Sequence, residues 1–219
     1  MTYSLKEWQG VYKDPSSLIV QASSDNDDDA WQPHPIGMSY QYLNMVSLGK
    51  DIQIGEHTSL VHCSMRDGTD GARRKGQPIT RMTILETLKK NGIINTFTSY
   101  QEYFISLPNY KFVVSPEGNG IDCHRHYEAI IAGCIPIIED NSMVREKYAG
   151  LPVLYTKDYS EITQEYLTSV YDTMITTQYD FSRVFLDFYS PSQIEIIKRQ
   201  SKYWCTKLVG RQYYNNSHC

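Results

Sequence analysis

The chain has 219 residues, 41% of them hydrophobic and 21% charged, with a formal net charge of -4. That length suits one sizeable α/β domain, with or without a short arm, and is cramped for two. The charge balance excludes broad nucleic-acid binding, which needs a basic face to neutralise phosphates, but it leaves room for a local cationic pocket.

No stretch reaches the roughly 18 consecutive apolar residues of a membrane span. The opening MTYSLKEWQGVYKDPSS lacks the basic flank and apolar run of a secretory signal, so a cytoplasmic protein is expected. On the same ground the sequon Asn215-Asn216-Ser217 carries no meaning. Cys63, Cys123, Cys134, Cys205 and Cys219 are odd in number, scattered and without a CxxC pair. They read as buried thiols rather than as a disulfide framework or a zinc knuckle.

Up to about Lys50 the texture is irregular. SLIVQAS (Ser17 to Ser23) reads as a strand, the acidic SSDNDDD as the loop leaving it, and WQPHPIGMSY follows. From residue 57 the pattern becomes regular, which divides the chain into a short segment, 1–56, and a domain, 57–219. SLVHCS (Ser59 to Ser64) is strand-like, and a polar loop carrying Arg66, Arg73, Arg74 and Lys75 leads into a helix. That helix is spaced by Ile79, Met82, Leu85 and Leu88 and stopped at Asn91-Gly92. A helix over Ser99 to Ser106, the strand KFVVS, a helix over Cys123 to Ala132 and the strand IPII come next. A helix over Ser142 to Tyr148, the strand PVLYT, and helices near Glu161 to Met174 and Pro191 to Leu208 complete the series. Short continuous apolar strands alternating with helices predict a Rossmann-like three-layer domain with a parallel sheet covered on both faces.

In open parallel sheets ligands bind beyond the carboxyl ends of the strands. The loop SPEGNGID occupies such a corner, after KFVVS. Gly118, Asn119 and Gly120 allow main-chain amides to turn toward a ligand, and the following helix adds its dipole and open N-H groups, a setting suited to a diphosphate. His124 and Arg125 share a helix face with Glu128, so the guanidinium can meet phosphate oxygens while the carboxylate accepts from ribose hydroxyls. Each feature also has a plain reading: Asp122 as an N-cap, Arg125 and Glu128 as a surface ion pair, the glycines as a turn. The spacing is neither GxGxxG nor GxxxxGK[ST], so NAD and ATP chemistry are not indicated. A metal held by His124 and Glu128 lacks a further clustered ligand set. ARRKG (Ala72 to Gly76), neutralised by Asp67 and Asp70, reads as a mobile loop closing over phosphates rather than a nucleic-acid patch.

KFVVSPEGNGIDCHRHYEAIIAGCIPII resembles the C-terminal, donor-binding half of exostosin-like, GT47-related GT-B glycosyltransferases, and the likeness runs from about Thr58 to Leu208. It implies a hexosyl- or pentosyltransferase moving a sugar from a UDP- or GDP-linked donor to a hydroxyl of a glycan or glycoconjugate, without a metal or other cofactor and with inversion. The implied donor contacts are Glu128 and Arg125, with Ser115, Glu117, Gly118, Asn119, Gly120 and His124 nearby and Arg66 and Arg81 compensating phosphate charge. The acceptor half is reduced to barely fifty residues, where Asp25 is the expected catalytic base, backed by Asp27 and His34, unless SSDNDDD is only a solvated loop. A partner domain or homo-oligomer would complete it. A nucleotide-sugar-binding module without turnover and a nucleotide-sugar hydrolase are the alternatives.

Overall fold

The computed structural model describes residues 19–21, 31–33, 35–45, 52, 54–55, 57–185, 188–200, 203–205 and 213–215. Two short strands, β1 (Ile19–Gln21) and β2 (Trp31–Pro33), pair in parallel, and helix α1 (Tyr40–Met45) follows. The main sheet has four parallel strands in the order β3 (Ser59–His62), β4 (Tyr110–Val114), β5 (Ile135–Glu139), β6 (Leu154–Thr156). Between β3 and β4 lie α2 (Arg81–Lys90) and α3 (Tyr100–Ser106), α4 (His124–Ile131) joins β4 to β5, and α5 (Ser142–Lys147) joins β5 to β6. Beyond β6 come α6 (Gln164–Met174), α7 (Pro191–Gln200) and an antiparallel pair, β7 (Tyr203–Cys205) with β8 (Tyr213–Asn215).

The strands are apolar throughout because both faces of the sheet are covered. Successive side chains alternate: Phe112 and Val114 of β4, with Ile135 and Ile137 of β5, pack under α2 and α6 against Ile84, Leu88, Leu167 and Tyr171. Val113 and Ile138 point the other way, to α3, α4 and α5, meeting Phe104, Ile130, Val144 and Tyr148. This is a three-layer α/β domain. Met38 and Tyr42, from the part of the chain before residue 57, are buried in that second layer.

Local signals place the helix ends. Thr80 caps α2 in a capping box with Thr83, Ser99 caps α3 with Glu102, and Asn141 and Thr163 cap α5 and α6. Gly92 and Gly133 take positive φ just beyond α2 and α4, where only glycine avoids strain. Asn91 does more than stop α2, since its amide donates to the carbonyls of Ser160 and Ile162 and ties that helix end to the loop after β6. The predicted helix over Pro191 to Leu208 is shorter than expected: it ends at Gln200, and Tyr203–Cys205 is extended, in keeping with the strand preference of Tyr and Trp.

Asp122 is not the cap of α4. The N-cap residue is Cys123, which makes no side-chain cap bond. The Asp122 carboxylate is buried instead, accepting from the hydroxyls of Tyr148 at 2.5 Å and Tyr127 at 3.0 Å and from the Ile36 amide at 3.1 Å, with the Lys147 ammonium at 3.4 Å. It therefore joins the segment before α1 to α4 and α5. Burial alone would push its pKa up, but the Lys147 charge and the hydrogen bonds of His126 and Tyr148 outweigh that and hold the carboxyl well below the usual range. A depressed folded-state pKa contributes stability above the unfolded value of about 3.9 that is lost as pH falls below it. Asp122→Asn is expected to cost about 3 to 5 kcal/mol in urea unfolding at pH 7, having removed one partner of a buried charge pair. The deficit should shrink as the measurement is taken down from pH 5 to pH 3.

Candidate functional site

The segment after β3, the first residue of α2, the stretch that leads into α3 and the opening of α4 enclose a cavity of about 440 Å3; no residue of β4 or of the 115–122 loop lines it. Its charged lining is Arg66, Arg81, Arg125 and Glu128, and Phe97, Tyr100 and Tyr103 supply aromatic wall. Phe97 and Tyr100 are 63% and 60% exposed, an unusual state for large rings, and they stand at the mouth.

Arg81 opens α2, yet its side chain runs inward and is 7% exposed. The guanidinium donates to the carbonyls of Glu117 at 2.8 Å, Pro116 at 2.9 Å and Arg66 at 3.3 Å, so one cation holds both the loop after β4 and the loop after β3. Its amide donates to Asp70 at 2.7 Å. Burial lowers its pKa, but an arginine stays charged at any physiological pH. A Cβ at Gly118 would stand 3.1 Å from Nη2 of Arg81, a tight approach that glycine avoids.

Arg125, in the first turn of α4, donates to the Ser64 carbonyl and lies 4.7 Å over the Tyr103 ring. Arg66 is exposed and stands 5.8 Å over Phe97. The loop that carries it is held by Asn95, whose side chain pairs with the Met65 backbone at 2.9 and 3.0 Å and so prolongs the edge of β3. Among the described residues none of these three arginines has a carboxylate within ion-pair distance. Three cations and one carboxylate thus meet at one cavity, an arrangement that attracts an anion of more than one charge.

The carboxylate is Glu128, 4% exposed. Its Oε1 accepts from both the amide and the hydroxyl of Ser39, and the Arg125–Glu128 surface ion pair is not formed. Oε2 has no partner among the described residues and is available to a ligand. One turn earlier, His124 Nδ1 lies 2.7 Å from the Gly37 carbonyl. Because a carbonyl only accepts, Nδ1 carries the proton and Nε2 faces outward. With Ile36 on Asp122, the PIGMS segment is thereby fastened at three points to α4 and the loop before it.

Behind the cavity lies a buried ion cluster. Arg74 Nη2 donates to Glu117 at 2.6 Å and to Glu139 at 2.8 Å, Arg73 adds a 2.5 Å bond to Glu117, and Glu139 also accepts from the Glu117 amide at 3.0 Å. Burial pulls the Arg74 pKa down, and the two carboxylates overcome it and raise it. The Tyr159 hydroxyl reaches Glu139 from a backbone at φ +64, a left-handed conformation that costs a non-glycine residue about 1 to 2 kcal/mol. These contacts set the path of the 115–122 loop.

Of the residues expected from sequence, Arg66, Arg81, His124, Arg125 and Glu128 come together at the cavity. Ser115 is fully buried at the end of β4. Glu117 is engaged in the ion cluster, the Gly118 amide donates to the Gly120 carbonyl at 3.0 Å, and Asn119 is exposed. Asp25, Asp27 and His34 lie outside the described residues. Arg73 and Arg74, expected on a mobile loop, are pinned by Glu117 and Glu139. Asp70 lies 3.8 Å from Arg74, in line with its expected part in neutralising ARRKG, whereas its bond to the Arg81 amide, the Asn95 clamp and the pairing of Ser39 with Glu128 act across 11 to 89 residues and had no local sequence signal. Burial pushes the thiols of Cys63 and Cys123 up to about 12, which suits packing and not nucleophilic attack.

The domain is thus a parallel α/β domain with a cationic cavity beside the carboxyl ends of its strands, the edge at which open parallel sheets usually carry their ligands. The family that matches is the RXYLT1 C-terminal domain, over residues 75–202, and the chain belongs to it. That family is xylosyltransferase-related, which makes this a glycosyltransferase-related domain, in agreement at that level with the exostosin-like resemblance. No curated protein matches the chain.

Arg74→Met leaves Glu117 and Glu139 buried without their shared cation and is expected to destabilise the fold by about 3 to 5 kcal/mol, read as a lowered urea midpoint. Lys75→Met, at an exposed neighbouring position, should stay within about 0.5 kcal/mol of the unmodified chain.

Proposed function

We propose that the domain holds the diphosphate of a nucleotide sugar in this cavity, as the donor half of a GT-B-type glycosyltransferase. The sugar passes, with inversion, to a hydroxyl of a glycan or glycoconjugate. The observation that carries the reading is the gathering of Arg66, Arg81 and Arg125 at one cavity of suitable size, with no carboxylate within ion-pair distance of them among the described residues. The relation of the family to xylosyltransferases favours a pentose, and xylose first, as the sugar.

As the bond from the anomeric carbon to the diphosphate breaks, negative charge builds on the departing oxygens. Cations already fixed in place stabilise that charge without reorganising, and they serve the role a divalent metal fills elsewhere. Arg81 and Arg125 are held by carbonyls rather than carboxylates, so their charge is retained for the ligand. Arg66, at the exposed rim, closes over the phosphates, and the free Glu128 Oε2 accepts from ribose hydroxyls. A base deprotonates the incoming hydroxyl, and Asp25, with Asp27 and His34 behind it, is proposed for that step.

Thermal-shift titration with UDP, GDP and their xylose conjugates tests the site. One nucleotide at 100 times its dissociation constant should add about 2.7 kcal/mol of apparent stability. Arg125→Ala and Arg66→Ala should each weaken that nucleotide by about tenfold or more, as expected for loss of a charge-assisted contact. Glu128→Gln should weaken it less. Retention of full affinity by both arginine variants, or no shift with any of the four compounds, overturns the assignment.

A further inference from the structure

Behind Arg125 stands a column of stacked rings. The guanidinium lies 4.7 Å over Tyr103. Tyr103 stacks on His62 at 5.3 Å and 24°, and His62 stacks on Tyr110 at 4.5 Å and 11°. The four groups come from α4, α3, β3 and β4, so the column crosses the second layer of the domain to the sheet. Neither His62 nor Tyr110 lines the cavity.

The imidazole in the middle of this column is peculiar. His62 is 5% exposed, and among the described residues its Nε2 has no hydrogen-bond partner. A buried polar atom left unpaired costs free energy, so the ring is not there for its hydrogen bonds. Burial, and then the charge of Arg125, hold its pKa at about 4, and the ring is neutral at physiological pH. A neutral, flat, electron-rich ring is what a stack beneath a cation requires, whereas an imidazolium would repel the guanidinium through the intervening tyrosine. Ser64, two residues beyond His62, accepts from Arg125 Nη1. The end of β3 thus supports the guanidinium from its face through the column and from one edge through a carbonyl, leaving the remaining N-H groups for the cavity.

We infer that His62, backed by Tyr110, is a positioning residue that acts through the stacked Tyr103 ring to hold the Arg125 guanidinium in the orientation in which it meets the ligand diphosphate. This rests on the proposed diphosphate site. It assigns a task to a buried imidazole that never touches the ligand, and it predicts that the aromatic face of His62 matters while its nitrogens do not.

The test is calorimetric titration of the full chain with UDP or GDP, whichever binds more tightly, with folding checked by circular dichroism and melting temperature. His62→Ala should weaken the nucleotide by about fivefold, the order expected for loosening a cation-π support. His62→Phe should stay within about twofold of the unmodified chain. Combined with Arg125→Ala, His62→Ala should add no further loss, because the residue acts only through that arginine. A merely structural role would give losses that multiply in the double variant and no rescue by Phe, and either result overturns the inference. Should His62→Ala fail to fold, Tyr110→Leu at the outer end of the column takes its place, with a loss of about twofold to threefold expected in the unmodified chain and none in Arg125→Ala. Unchanged affinity there overturns it equally. If Arg125→Ala binds as tightly as the unmodified chain, the diphosphate reading fails first and the positioning role falls with it. If Arg125→Ala loses affinity while the His62 and Tyr110 variants do not, the cavity assignment stands and only the positioning role is lost.

Discussion

A buried guanidinium that answers to carbonyl oxygens, not to carboxylates, is the constraint around which this domain is arranged. Arg81 holds the backbone of Glu117, Pro116 and Arg66, and so fixes the loops leaving β4 and β3 relative to each other. Removing a charge from water is costly, and dipoles that satisfy its N-H groups recover the hydrogen bonds without cancelling the charge. The result is a positive potential inside the protein that remains available at the cavity. Arg125 repeats the device with the Ser64 carbonyl.

The carboxylates near the site are disposed so as to leave that potential intact. Glu117 and Glu139 are neutralised by Arg73 and Arg74 in a separate cluster, and Asp122 by Lys147. Among the described residues Glu128 is the carboxylate that lines the cavity, with one oxygen committed to Ser39. Many of the charged groups crowded into the stretch from Glu117 to Glu128 therefore have a structural partner, and the same few bonds that assemble the loop also sort the signs: acids behind, cations in front. The PIGMS segment belongs to this assembly, since it is hydrogen-bonded to Asp122, His124 and Glu128.

Much of the architecture was legible in the residues alone. Continuous apolar strands alternating with helices announced a parallel sheet covered on both faces, because a strand flanked by helices on both sides has no solvent face to mark with polar residues. Asn91-Gly92 marked the end of α2 by the freedom of glycine. The error at the end of α7 has the opposite cause: Tyr203 to Cys205 realises its strand preference only in pairing with Tyr213 to Asn215, across a connection that no local pattern records. Asp122 was read as a cap for the same reason. Its actual partners, Ile36, Tyr148 and Lys147, lie 86, 26 and 25 positions away.

By itself the sequence determined the class of fold and singled out several of the side chains that gather at the cavity, Arg66, Arg81, His124, Arg125 and Glu128, since these follow from hydrophobic periodicity, turn chemistry and motif spacing. Tertiary structure alone decided the roles. It brought Gly118 close against a guanidinium, withdrew Glu117 into an ion cluster, left Arg66, Arg81 and Arg125 without acidic partners among the described residues, and set a neutral histidine beneath the tyrosine that underlies one of them. Charge compensation and stacking depend on which groups lie within a few ångströms in space, and at separations of 11 to 89 residues that is settled only when the chain has packed.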